Sequence, residues 1–489
     1  MRGTTLFGAL AIFLGCTLSS SSAAKGSDAQ VWLQRELNKL ATDSRLGAAH
    51  VGVVVVRAGD GAELYTREPD RLVSVASNVK IITSTAALAL LGSEFRFKTA
   101  VYAPGYKGGK VVEGNLFLKG FGDPSLRMGD LDRLAALVRE MGIEHVKGAL
   151  VLDESYFDKH RLPPCFESRR TDAYYRPVVG ALSLEENTIA IRVRGARKPG
   201  QPATVVVMPR TRYVKVDNKM MTVNRRRRMR LGLSTVRRGQ STVVLARGRV
   251  RVGYEGRWYR KRVAHAGTYT GATFLEALTR RGVKIDKKRL RRGRVPKKSR
   301  SVAEIHSRAL GDLTRRLNKV SSNFMAEQLL KVMGAETFGA PATWSKGLKA
   351  VEQYLAKLGV PAGSYTLKNG SGLYDASALT PRQIVKVLRA AYGDFRYSAD
   401  FLSSLAIAGI DGTLAHRFIG SGAERYVRAK TGTLAKVVAL SGFAAASAGK
   451  KRQPLLFSLL ITDLPNGRIS EAREVVDAMA RILVTYLER

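Results

Sequence analysis

The sequence predicts an α+β protein in which an antiparallel sheet flanked by helices is joined to a mostly helical lobe and interrupted by a long β-rich insertion. Three observations carry this expectation. Helix-spaced apolar residues and β-branched runs stand at both ends of the chain, the stretches 324–333 and 344–358 have helical periodicity, and from Thr99 to about Val263 short alternating runs are separated by Gly, Pro and basic residues.

At 489 residues the chain exceeds one ordinary core. Met1-Arg2, the mostly apolar run from Leu6 to Leu18 and the small residues Ser22-Ala23-Ala24 read as a secretory signal over residues 1–24, and hence a secreted, periplasmic or otherwise extracytoplasmic protein. That run is shorter than the ~20 residues needed to span a bilayer. Phe13-Leu14-Gly15 ahead of Cys16 makes a poor lipidation site. Cleavage after Ala24 leaves Cys165 alone, so no internal disulfide is expected.

The mature chain then reads in order. Val31, Leu33, Leu37 and Leu40 suggest a helix over 31–40, and residues 50–56 suggest a strand. Residues 81–91 continue a helix that Ser77 opens. Near the other end, strands are expected at 426–429, 437–445 and 455–462, followed by an amphipathic helix over 472–487, with both terminal helices on one face of the sheet. The expected division is a catalytic domain of residues 25–94 and 301–489, an inserted domain of 95–152 and 263–300, and a nested basic β-rich domain of 153–262.

The charge is lopsided, with 82 Lys+Arg against 40 Asp+Glu and a formal net charge of +42. Residues 201–300 alone hold 30 Lys/Arg and 4 Asp/Glu, including four consecutive arginines at 225–228. Such a field draws anionic partners without choosing among nucleic acid, membrane and wall polymer.

Three short motifs carry chemistry. Ser77-Asn78-Val79-Lys80 places a hydroxyl and an amine one helical turn apart; alone it reads as a capped helix start, and Ser447-Ala448-Gly449-Lys450 repeats the spacing where nothing suggests a site. Ser321-Ser322-Asn323 and Lys430-Thr431-Gly432-Thr433 follow in the order known for penicillin-binding proteins and serine β-lactamases. A serine hydroxyl attacks only when a base removes its proton, and Lys80 serves if burial and the Lys430 charge keep it neutral. Ser321 then relays a proton toward the leaving amine, Asn323 holds a substrate amide, and Lys430 and Thr431 receive a carboxylate. Gly432 lets the strand approach the acyl group, and the Ser77 and Thr433 backbone amides form an oxyanion hole. Competing chemistries lack parts. No H-E-x-x-H or CxxC spacing offers a metal site, and no Walker A or G-x-G-x-x-G run cradles a nucleotide, so no cofactor is expected. His306 and His416 read as structural or surface residues, and "NGSGL" at 369–373 as a turn.

With these motifs, and with "FRFKTAVY", "GNLFLKGFGDPSL", "VLDESYFD", "ALSLEENTIAIRV", "NGSGLYDASALTP" and "AGIDGTLAHRF" in order, the sequence resembles the low-molecular-mass class C penicillin-binding proteins, the D-alanyl-D-alanine carboxypeptidase/endopeptidase family. The resemblance implies a penicillin-recognising, serine transpeptidase-like domain split by an insertion of two smaller domains. It implies cleavage of peptidoglycan stem peptides through an acyl-enzyme and inhibition by β-lactams, and it places Asp153 at a position that recognises the stem diamino acid. Two positions depart from the pattern: Ser322 stands where the family usually has Asp, and Asn369 where it has the Asp of D-G-S-G. The alternatives are another amide or ester hydrolase of the same fold, including a β-lactamase, and a non-catalytic cationic envelope-binding protein. The basic insertion is expected to meet anionic envelope polymers, with no specific nucleic acid.

Overall fold

The computed structural model describes residues 18–167, 171–447 and 452–489. Most of the expected signal, and the repeated serine–lysine spacing after Ser447, lie outside these residues. Among the described residues no helix is long and apolar enough to cross a membrane.

The organising element is a six-stranded sheet in the order Ala406–Ile407, Val427–Leu434, Val437–Ala444, Leu455–Thr462, His50–Arg57, Glu63–Arg67. Every neighbouring pair in it is antiparallel. The N-terminal helix Leu18–Ala41 and the C-terminal helix Ile469–Glu488 cover one face together, as the end-to-end pattern suggests. Leu33, Leu37, Val475, Met479 and Leu483 are buried there against Val53, Val55, Leu459 and Ile461. A fully buried side chain of this kind contributes about 1.5–3 kcal/mol, so the two chain ends are held by the sheet they enclose.

The other face carries the helical lobe. Its central helix, Val79–Leu91, is buried from Val79 to Leu88, as expected of a helix apolar on all sides. Around it stand helices Leu310–Lys319, Asn323–Phe338, Trp344–Lys357 and Pro381–Gly393. Ile81, Ile82, Leu329, Leu330, Ile384 and Leu388 form one core with the sheet. The serine–lysine spacing thus sits on an element fixed on all sides.

The insertion is less purely β than its alternating pattern suggests. Strands Lys98–Tyr102, Leu116–Gly120, His145–Asp153, Lys284–Arg292 and Ser301–His306 form a mixed sheet, in which His145–Asp153 pairs in parallel with both Leu116–Gly120 and Lys284–Arg292. Helices Met128–Glu140 and Ala266–Arg280 pack on each other beside it. Parallel neighbours need long crossovers, and these helices supply them. Ser301–His306, which the expected boundary at 300 puts in the catalytic part, pairs antiparallel with Lys98–Tyr102. The insertion sheet therefore extends to His306. The nested region holds two three-stranded sheets, Val214–Val223 with Ser241–Arg251 and Arg230–Arg238, and Trp258–Arg262 with Thr188–Arg194 and Thr204–Met208.

Candidate active site

Ser77 lies in a 3-10 turn, Ala76–Asn78, that runs into helix Val79–Leu91. A helix cap is the simplest reading of that serine, but no side-chain cap bond forms there. Instead Lys80 Nζ donates to Ser77 Oγ at 2.8 Å and to the Ser371 carbonyl at 2.7 Å. The lysine is buried while the serine is partly exposed, so the hydroxyl reaches solvent and the amine does not. Burial pushes the Lys80 amine well below its ordinary range, the Lys430 charge pushes the same way, and Glu327 opposes them. A lysine held neutral in this manner accepts a proton at neutral pH.

A second serine–lysine pair stands beside the first. Lys430 Nζ, buried, donates to Ser321 Oγ at 2.9 Å and to the Thr431 carbonyl at 2.9 Å. Burial lowers its pKa to about 7. Ser321 is held in the left-handed region at φ 57°, and Ala76, just before Ser77, at φ 47°. Each costs of order 1–3 kcal/mol and survives only where surrounding packing over-determines it.

Strand Val427–Leu434 brings the third motif to Ser77. Gly432 packs closely: a Cβ there would lie 3.0 Å from the Val75 carbonyl oxygen and 3.1 Å from the Ala76 Cβ, so its neighbours would have to give way. The close approach is thus to the backbone that carries Ser77. The neighbouring strand Ala406–Ile407 pairs only with Ala429 and Arg428, so Lys430 to Leu434 form an edge with no ladder partner on that side. Thr433 is exposed on this edge, and Thr431 Oγ1 donates to Thr413 Oγ1 at 2.8 Å. An extended peptide fits such an edge by backbone pairing.

Asn323 opens helix Asn323–Phe338, and its Nδ2 donates to the Tyr175 carbonyl at 2.7 Å. The insertion therefore reaches the site through the loop bearing the exposed Tyr174 and Tyr175. Ser322 is the helix N-cap, accepting from the Met325 amide at 3.2 Å, and it donates to Glu186 Oε2 at 3.3 Å. An Asp there could cap as well, but its charge would face Glu186. Serine in place of the family's Asp suits this neighbour.

Asp153 does not join these groups. It is buried, its Oδ1 accepts from the Ser155 amide at 2.8 Å, and its Oδ2 accepts from the Val295 amide at 2.8 Å and lies 3.6 Å from Lys119 Nζ. With both oxygens engaged it anchors the Val295 segment, and none of these bonds links it to Ser77, Ser321 or Lys430.

Sequence reasoning missed the floor of the site. The Asn369–Gly372 turn, read as a plain loop, supplies the carbonyl that receives Lys80. Gly372 at φ 73° lets it press on Ala76, whose carbonyl oxygen would be 2.0 Å from an added Cβ. Asn369 Oδ1 accepts from the Ser371 and Gly372 amides at 3.2 and 2.9 Å, as an Asp oxygen would. Beneath it, buried Glu327 accepts from the Ser371 and Gly370 amides at 2.9 and 3.2 Å and from Trp344 Nε1 at 3.0 Å. Glu327 follows Asn323 by four residues on one helix, a spacing that puts both on one face. That signal was present in the sequence. Among the described residues no three His, Cys, Asp or Glu side chains gather as a metal site requires.

The buried lysines set a pH dependence of stability. In the folded state Lys430 holds its proton only below about 7 and Lys331, also lowered by burial, only below about 8, whereas unfolded lysine holds it to about 10.5. Between pH 7.5 and 9.5 the unfolded chain binds more protons, so stability rises with pH. Lys430→Met should flatten that slope by up to about 1.4 kcal/mol per pH unit, read from denaturant midpoints across this window. An unchanged slope would mean that Lys430 stays charged in the fold.

The model of the D-Ala-D-Ala carboxypeptidase 3 (S13) family matches residues 33–486. The D-alanyl-D-alanine carboxypeptidase of Actinomadura sp. (strain R39) is 32% identical over 484 residues, covering 96% of this chain and 87% of that protein. D-alanyl-D-alanine carboxypeptidase DacB of Haemophilus influenzae is 27% identical over 391 residues, or 77% of this chain and 78% of its own. Among solved structures, penicillin-binding protein 4 of H. influenzae superposes with a TM-score of 0.78 at 23% identity, covering 91% of this chain and 97% of that one. Its complex with a β-lactam superposes at 0.73, again at 23% identity, over 91% of this chain and 98% of that one.

Proposed function

The chain belongs to the D-Ala-D-Ala carboxypeptidase 3 (S13) family, and from that membership we propose that it cleaves peptidoglycan stem peptides through an ester on Ser77. The observation that carries the reading is the buried, charge-suppressed Lys80 amine at 2.8 Å from a half-exposed hydroxyl. Lys80 takes the Ser77 proton as Oγ attacks the carbonyl between the two D-Ala residues. The C–N bond breaks as the proton held by Lys80 is relayed through Ser321 to the leaving amine, and water later hydrolyses the ester with the again neutral Lys80 as base. The Ser77 and Thr433 amides stabilise the oxyanion, and Asn323 orients the stem peptide. Lys430, Thr431 and Thr413 receive the terminal carboxylate, whose charge favours the protonated form of Lys430. A β-lactam enters as a mimic of the scissile amide. Such substrates lie outside the cytoplasm, in keeping with the signal expected over residues 1–24.

Incubation with pentapeptide and crosslinked muropeptides, followed by mass analysis, tests the reaction. Loss of the terminal D-Ala and opening of the D-Ala-to-diamino-acid crosslink are the expected products, and intact substrates would overturn the reading. Lys430→Ala should weaken the pentapeptide, which bears the free carboxylate, more than the crosslinked substrate. Equal loss on both would leave Lys430 only its electrostatic effect on Lys80.

A further inference from the structure

We propose that a cavity in the insertion, remote in sequence from the three motifs, binds a ligand carrying two or more phosphate groups. The cavity is about 570 Å³ and is lined by Arg237, Arg289, Arg291 and Arg292, with His265 and Thr268 from the start of helix Ala266–Arg280. No acidic side chain lines it.

Two features describe this cluster. The first is a shortage of counter-ions: the buried Glu154 carboxylate feels the Arg292 charge, but at more than ion-pair distance. Among the described residues none of the four arginines makes an ion pair, and Arg237 Nε donates only to the Gly239 carbonyl, at 3.1 Å. Some arginines of the insertion are matched, Arg247 with Asp217 at 2.6 Å and Arg280 and Arg281 with Asp132, while Arg225 to Arg228 also lack ion pairs among the described residues but do not line this cavity. Four like charges around one cavity repel each other, and the arrangement gains stability when an anion enters.

The second is the strand that presents them. A regular strand sends alternate side chains to opposite faces, so three of four neighbouring residues would not line one wall. Here Lys287 stands opposite Ala149 and Arg291 opposite Val151, so four residues on one strand are matched by two on the other. This double bulge turns Arg289, Leu290, Arg291 and Arg292 onto the same cavity. Bulges commonly re-aim side chains in this way beside binding sites.

The chemistry favours phosphate. Guanidinium groups offer planar pairs of donors that match phosphate oxygens, and four positive charges are balanced by two or more phosphates rather than one. The proximity of these charges is also felt by His265, which burial, Arg237 and Arg292 together keep neutral. The cavity shares Gln240, Thr268, Arg289 and Leu290 with a neighbour of about 770 Å³ that Glu276 also lines, and Arg237 and His265 with another of about 790 Å³ lined in part by Glu167 and Asp172. A phosphodiester chain could therefore enter and leave, while a small oligophosphate would fill the centre alone.

Calorimetry on the full chain at about 0.15 M salt, where long-range attraction is screened beyond ~8 Å, tests the site with inorganic tripolyphosphate and, separately, poly(glycerol phosphate). Combined Arg289→Ser, Arg291→Ser and Arg292→Ser should weaken tripolyphosphate at least ~30-fold, given the strength of charge-assisted bonds. Arg225→Ser, Arg226→Ser and Arg227→Ser removes equal charge elsewhere and should change binding less than about 3-fold. Should the first variant lose its cooperative melting transition, the single Arg237→Ser, on a different strand, should still weaken binding about 10-fold. Competition between the two anions identifies a chain running through the cavity, and tripolyphosphate binding alone identifies a small oligophosphate. Equal loss in both arginine sets, no binding of either anion, or citrate binding as tightly as tripolyphosphate would each overturn the proposal.

Discussion

Penicillin should add its full mass to this protein, on Ser77, and Ser77→Ala should gain none. The β-lactam ring holds a strained amide that opens when the Ser77 oxygen attacks, and the amine released stays tethered to the acyl group. It cannot diffuse away as a leaving D-Ala does, so the ester persists unless water reaches it. Intact mass and peptide mapping read this directly. The nearby hydroxyl of Ser321 is the competing site, but its partner Lys430 keeps a proton up to about pH 7. It is therefore the poorer base at that pH. An adduct on Ser77→Ala at Ser321 would exchange the two roles, and a Ser77 adduct that hydrolyses within seconds would point to a β-lactamase.

Lys80→Ala should slow acylation by at least ~100-fold, the low end for losing a general base. The lysine is fully buried, its amine bridges Ser77 Oγ and the Ser371 carbonyl, and among the described residues no other amine bonds to that hydroxyl. Lys80→Arg tests the reason, because a guanidinium cannot be deprotonated at neutral pH and should be nearly as slow. Stopped-flow acylation by a chromogenic β-lactam, with melting temperatures alongside, separates chemistry from folding. A loss below 10-fold in Lys80→Ala would transfer the base role to another group. A buried lysine held neutral carries a desolvation cost, so Lys80→Met should melt no lower than wild type at pH 7 despite its inactivity.

The legible and illegible parts of this protein divide along physical lines. The sheet strands at 50–57 and 455–462, the terminal helices and the helix after Ser77 were readable, since period and burial are encoded residue by residue. Helix Met128–Glu140 and the parallel pairing of His145–Asp153 were not, because a parallel ladder is defined by segments far apart in the chain. Asp153 illustrates the same limit at a single residue. Its position fits the family pattern, while its bonds to Ser155 and Val295 depend on how a loop 142 residues away returns to it.

For the site, residue types and their order suggested the chemistry proposed above. A serine and a lysine one turn apart, with a second serine, an asparagine and a second lysine downstream, specify a nucleophile, a base and their partners wherever they meet. Tertiary structure decided the rest. Whether Lys80 is neutral depends on burial and on Lys430, 350 positions away in sequence. The floor of Glu327 and the Asn369–Gly372 turn exists only when helix and loop pack, because hydrogen bonds to Ser371 need both in place. The arginine cavity also required coordinates. Composition announced the charge, but only the double bulge brings three arginines of one strand to the same cavity as Arg237, since an electrostatic site is made by distance and not by count.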